Sequence, residues 1–267
     1  MKKTPDEMSQ DSSYVQPTES SAGWSRRSLI TKGTAAGIAA TAGIAAFQLA
    51  GANVEVAQAH NSSKCLDSVH TIITVARTAE RLAVTFVSNG IKHAAQLGLS
   101  GATLENVRAV AIEEQIHEYY LRDQGAGVLA SEFSFPYGPK TFEDLPTFLK
   151  TLAEIGGVFD TAYLAATKEF AQLGRPDLAQ VAAQIAWVEG EHLALGRQIG
   201  INAGLIAPPA NNWVFAPVLV PSVGALPALA KKEGYLSPRK GNRYAYNPIS
   251  TEDPGIIYRH PYAVPCE

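Results

Sequence analysis

Apolar residues recur at alternating steps of three and four along four stretches of this chain, the spacing of a helix that buries one face. The stretches run over about 65–97, 102–125, 142–172 and 177–203. The first stripe reads Val69, Ile73, Ala76, Glu80, Ala83, Val87, and the second Val107, Val110, Glu114, His117, Leu121. The third reads Leu149, Ala153, Gly156, Asp160, Tyr163, Thr167, Phe170, and the fourth Leu178, Ala182, Ile185, Glu189, His192, Gly196, Ile199. Ser100-Gly101, Pro146 and Gly174-Arg175-Pro176-Asp177 mark the helix junctions, as expected of residues that stop and start helices.

The connections between the first and second helices and between the third and fourth are short, so each pair is antiparallel. The middle connection is long and carries Gly125, Gly127, Pro136, Gly138 and Pro139. An all-α, four-helix bundle with one long crossover is the ferritin-like arrangement. It is expected over residues 60–206. From Pro208 onward prolines punctuate the chain, with one short helix expected near 222–233. Residues 207–267 read as an irregular Pro/Tyr-rich extension packed on the bundle.

Each stripe is interrupted by one acid, and two stripes carry E-x-x-H: Glu114 with His117, and Glu189 with His192. An ionised carboxylate buried without a partner costs several kcal/mol. Four at one level would also repel one another unless cations sit between them. Glu80, Glu114, Asp160 and Glu189 with His117 and His192 suit two iron or manganese ions, the carboxylates bridging and each imidazole capping one ion. The rival is a metal-free bundle with buried Glu–His hydrogen bonds. Glu113 and Glu118 fall off the stripe and are expected in solvent. Tyr163, one turn from Asp160, either hydrogen-bonds a ligand or is simply packed. His70, His93 and His260 read as surface or capping residues.

The first 59 residues have another character. A polar, Ser-rich start leads to Ser25-Arg26-Arg27-Ser28-Leu29, an Ala/Gly-rich apolar run and the A-x-A site Ala57-Gln58-Ala59. That order is an export leader of the twin-arginine type, against an uncleaved membrane anchor. Cleavage would leave an extracytoplasmic protein, periplasmic, cell-surface or secreted, with no stable membrane span. In that oxidising setting Cys65 and Cys266 are candidates for a disulfide, against two buried free thiols. The net charge of −3 carries no basic excess of the kind nucleic acid attracts. No G-x-S-x-G, phosphate-cradling Gly loop or C-x-x-C supports a hydrolase, nucleotide or zinc-ribbon reading. A homo-oligomer stays compatible with the sequence.

The segments Ala79-Glu80-Arg81-Leu82-Ala83-Val84-Thr85-Phe86, Ala162-Tyr163-Leu164-Ala165-Ala166 and Val188-Glu189-Gly190-Glu191-His192-Leu193-Ala194-Leu195, with the E-x-x-H of the second helix, resemble exported bacterial proteins of the ferritin-like superfamily, the desiccation-related group. The resemblance covers about 65–236, with Asn211-Asn212 and Gly234-Tyr235 similar to that group's C-terminal extension. It implies a bundle with a di-iron or di-manganese centre. The family's glutamate seven residues before the Tyr of A-Y-L is Gly156 here. Helical phase then points Asp160 into the core and Glu154 into solvent. Two functions are expected as alternatives. One is a dinuclear oxidoreductase acting on dioxygen or peroxide, of ferroxidase, peroxidase or catalase type. The other is a non-enzymatic envelope or stress-protective protein with a degenerate site.

Overall fold

The computed structural model describes residues 66–259 and 261, with Asp160 described by its backbone only. The leader expected over 1–59, Cys65, Cys266 and His260 lie outside the described residues.

Helix α1 (Val69–Lys92) begins where the Ser68 hydroxyl accepts from the Thr71 N–H at 3.1 Å, relieving one unpaired donor of the first turn. It stops at His93, where one continuous helix to 97 was expected. The His93 backbone leaves helical geometry, its ring nitrogen Nδ1 lies 2.8 Å from the Asn89 carbonyl oxygen, and the ring stacks on Phe142. A further turn, α2 (Ala94–Leu97), follows, and then α3 (Gly101–Asp123) returns along α1.

The crossover holds a two-residue strand, β1 (Glu132–Phe133), and a 3-10 turn at Gly138–Phe142. Helix α4 (Leu145–Gln172) is capped by the Asp144 carboxylate, which accepts from the Thr147 N–H at 2.9 Å, and Pro146 sits in its first turn, where no N–H is needed. It ends at Gly174, whose φ of +69° suits glycine. Arg175 N–H then returns to the Phe170 carbonyl and Gly174 N–H to Ala171, a closure that satisfies the last carbonyls of the helix. Helix α5 (Pro176–Asn202) starts with Pro176 at its first position. The hairpins α1–α3 and α4–α5 face each other through α1–α4 and α3–α5 contacts. All-α bundle topology with one long crossover is therefore what the chain adopts.

The arm holds a 3-10 turn (Val223–Ala225), the expected short helix α6 (Leu226–Lys232), and β2 (Tyr244–Ala245). The periodicity carried no hint of β2, which pairs antiparallel with β1 in the register Glu132↔Ala245 and Phe133↔Tyr244. Side chains rather than strand propensity hold that pairing. Asn242 Oδ1 accepts from Phe135 N–H at 3.0 Å and its Nδ2 donates to the Phe135 carbonyl at 2.8 Å, as a strand backbone would. Phe135 packs against Phe142, Tyr235 and Tyr244, with ring centroids 5.1, 6.4 and 5.0 Å away. Glu169, itself buried, accepts from Asp67 N–H at 2.9 Å and from Val223 N–H at 2.8 Å. This covering explains why α1 and α4 are buried well beyond one stripe: Leu82, Val84, Thr85, Ile155 and Phe159 are all inside. Among the described residues no helix is long and apolar enough to cross a membrane.

Candidate metal centre

Halfway along the bundle the helical stripes bring their polar members together. Helix α1 presents Glu80, α3 presents Glu114 and His117, and α5 presents Glu189 and His192. Glu80, Glu114, His117 and Glu189 each place a ligand atom within 4.8 Å of the others. His192 Nδ1 adjoins them, 3.1 Å from Glu114 Oε1 and 3.5 Å from Glu189 Oε2. Among the described residues this is the group of acids and histidines with metal-ligand spacing.

The cluster is nearly dry. The side chains of Glu80, Glu189 and Glu114 are 0%, 2% and 4% exposed, and His117, at 14%, is the most accessible of the five. Yet Glu80 Oε2, Glu114 Oε2, Glu189 Oε1, His117 Nδ1 and His192 Nδ1 have no hydrogen-bond partner. His117 Nδ1 stands 3.8 Å from Glu80 Oε2 and 3.9 Å from Glu114 Oε2, too far for hydrogen bonds. Two atoms that share one ion at ~2.1 Å each stand about 3–4 Å apart. Buried polar atoms are nearly always satisfied, so five orphans in one cluster fit a bound cation. Oxygen and imidazole donors in this mixture suit iron or manganese.

Around the cluster lie groups that orient its members. His192 Nε2 is 2.8 Å from Glu113 Oε2, the outward contact to a carboxylate that a metal-binding imidazole usually makes. Glu113, expected in solvent, is thus tied to the cluster, and its hydrogen bond from His192 holds its carboxyl below the usual range. Tyr163, from α4, donates its hydroxyl to Glu80 Oε1. Burial and the nearby Glu80 push that phenol well above its ordinary value, so it stays a donor.

The metal-free cluster is balanced by protons. Burial, reinforced by Glu114, raises Glu80 to about 8. Burial opposes a charge on His117, but Glu114 and Glu80 outweigh it and lift His117 to about 10. Burial likewise opposes charge on His192, yet Glu113, Glu114 and Glu189 raise it well above its ordinary value. Burial and Glu189 act to raise Glu114, but the two histidines prevail and hold it below the usual carboxylate range.

The other acids need correcting. Glu118, expected in solvent, is 1% exposed. Its Oε1 accepts from Arg77 Nε at 2.9 Å and Arg81 Nε at 2.8 Å, and Gln115 Nε2 lies 3.3 Å from Oε2. Tyr246 of the arm bonds Gln115 and lies under Arg81. The arm therefore makes a second buried face on α3, which a single stripe does not reveal. Glu154 is directed away from the cluster, as helical phase requires, but not into open solvent: its oxygens accept from Tyr137 at 2.8 Å and Tyr235 at 3.3 Å. The side chain of Asp160 lies outside the described residues. Arg77 and Arg81 share one face of α1, four residues apart, but nothing in the sequence ties that face to Glu118 on α3.

Gly156 allows a close approach of α4 and α5. A Cβ there would stand 2.6 Å from Leu193 Cδ2 and 2.9 Å from its Cγ. Gly156→Ala should therefore lower stability by about 1–3 kcal/mol, and Leu193→Ala in the same chain should relieve much of that. A denaturant-melt double-mutant cycle checks it; additive effects would mean the contact is not felt.

Residues 68–200 match the family model of the ferritin-like domain. No curated protein and no solved structure gives a significant match.

Proposed function

With that ferritin-like domain as the premise, we propose that the chain binds a pair of iron or manganese ions between its helices and acts as an oxidoreductase toward dioxygen or peroxide. The supporting observation is the five unpartnered buried polar atoms of Glu80, Glu114, Glu189, His117 and His192, the first three and His117 each placing a ligand atom within 4.8 Å of the others. Glu114, Glu189, His117 and His192 would hold the ions, with Glu80 from α1 closing the cluster. Iron or manganese held there supplies one-electron chemistry toward an oxygen-containing substrate. The chain's own residues do the rest. Glu113 holds the His192 ring so that Nδ1 faces the cluster. Tyr163 keeps one oxygen of Glu80 occupied so that the other turns inward. Apolar neighbours such as Ala83, Val87 and Phe159 keep bulk water away. Asp160 belongs to the proposed ligand set on helical phase alone.

We also place the protein outside the cytoplasm, on the leader-like residues 1–59 and the resemblance to exported desiccation-related proteins. Purified protein loaded with iron or manganese under reducing conditions should hold two ions per chain and turn over peroxide or consume dioxygen. Protein that holds neither metal refutes this function.

Gly156 favours a second reading, a stress-protective protein with a degenerate site. Leu193 fills the space where a fourth carboxylate from α4 would start. Fewer than two ions per chain, with no turnover, would support it.

Metal must displace protons. At pH 7 Glu80 (about 8), His117 (about 10) and His192, raised well above its ordinary value, hold theirs in the metal-free protein. Loading in weak buffer at pH 7 should release at least two protons per chain, read with an indicator dye. The sign follows: affinity falls as pH falls, because more protons then compete.

A further inference from the structure

A cleft of about 600 Å³ opens between α3, α5 and residues 256–259 and 261, and its lining includes His117 and Glu113. His117 is the most exposed of the five clustered residues, and Glu113, at 35%, is the partner of His192. Two other cavities that touch the cluster or Tyr163 are only about 10 and 20 Å³, little more than one water each. The cleft therefore offers a larger molecule a route to the His117 side of the cluster.

Its walls are mostly apolar: Ile116, Tyr120, Val188, Ile256 and Ile257, with Trp187 at the rim. Trp187 is 74% exposed and its Nε1 donates to Glu191 Oε1 at 2.7 Å, so a large aromatic face is held open rather than folded away. Glu113 and Glu191 add acceptors, and Gln184 an amide. The volume is that of a site for a small organic ligand, mainly apolar with a few polar anchors. Flat aromatic walls favour a ring. Two carboxylates among the lining favour a hydrogen-bond donor and oppose an anion, leaving the exposed Arg259 as the opposite charge in the tail wall.

We propose that this cleft binds a small uncharged aromatic molecule bearing a hydrogen-bond donor, of the phenol class, and presents it to the His117 edge of the cluster. The inference deepens the metal-centre reading and rests on it for what the molecule meets, but the binding step needs no metal.

Phenol is the probe. Titrated into the metal-free full chain, it should bind saturably and shift the Trp187 indole N–H signal in NMR spectra. Ala183→Trp and Gln184→Trp fill the cleft from exposed positions on α5. Each should weaken phenol binding at least tenfold while leaving metal stoichiometry unchanged. Undiminished phenol binding in both variants overturns the inference, as does benzoate binding more tightly than phenol. Phenol binding and metal content are measured separately. A chain that takes up phenol but no metal refutes the metal centre alone, and one that takes up metal but no phenol refutes the cleft alone.

Discussion

Glu114→Gln should abolish the binding of two metal ions per chain. Glu114 stands at the middle of the cluster, with one oxygen 3.1 Å from His192 Nδ1 and the other, unpartnered, 3.9 Å from His117 Nδ1. The amide is nearly isosteric but carries no charge, and it offers a donor nitrogen where an ion needs a lone pair. Losing a residue that only orients a ligand costs about 10–100-fold in metal affinity. Loss of a proposed ligand should exceed that range, whereas Glu113→Gln should fall within it, since Glu113 touches the cluster through His192. Metal analysis and competition with a chelator measure both. Glu105→Gln, at an exposed position of the same helix, is the control expected to change nothing. Two ions retained in Glu114→Gln would remove Glu114 from the site.

Glu118→Ala should give the largest loss of stability among the substitutions considered. It removes the carboxylate partner of two guanidiniums, Arg77 and Arg81, whose side chains are only 13% and 16% exposed, leaves them the Ala126 carbonyl and the Tyr246 ring, and takes a partner from Gln115. Removing one side of a buried ion pair costs about 3–5 kcal/mol. The slight exposure of both arginines places the expectation near the lower end, about 3 kcal/mol. For a domain of this size that is a fall in Tm of about 10 °C. A thermal melt of the metal-free protein reads it directly. A loss under about 1 kcal/mol would show that water reaches the arginines and that the pair behaves as a surface bridge.

The four helices and the inward direction of Glu80, Glu114, His117, Glu189 and His192 were legible from the sequence, because the period of a helix fixes which residues share a face whatever packs against it. Gly174 and Pro176 were legible as a break for a similar reason: their backbone limits are local. The resemblance pointed to Gly156 as a departure, but only the structure shows Leu193 seated against it. Tertiary structure alone decided the second environment of each helix. Glu118 looked solvated until the arm laid Tyr246 over Arg81 and Gln115. Glu113 looked solvated until α5 brought His192 across to it. The strand pair β1–β2 forms from residues far apart in the chain, through Asn242 and a set of aromatic rings, with no alternating pattern to announce it. Periodicity records one buried face per helix; a side chain buried by a distant segment, or paired across two helices, leaves no regular trace in its own stretch of sequence.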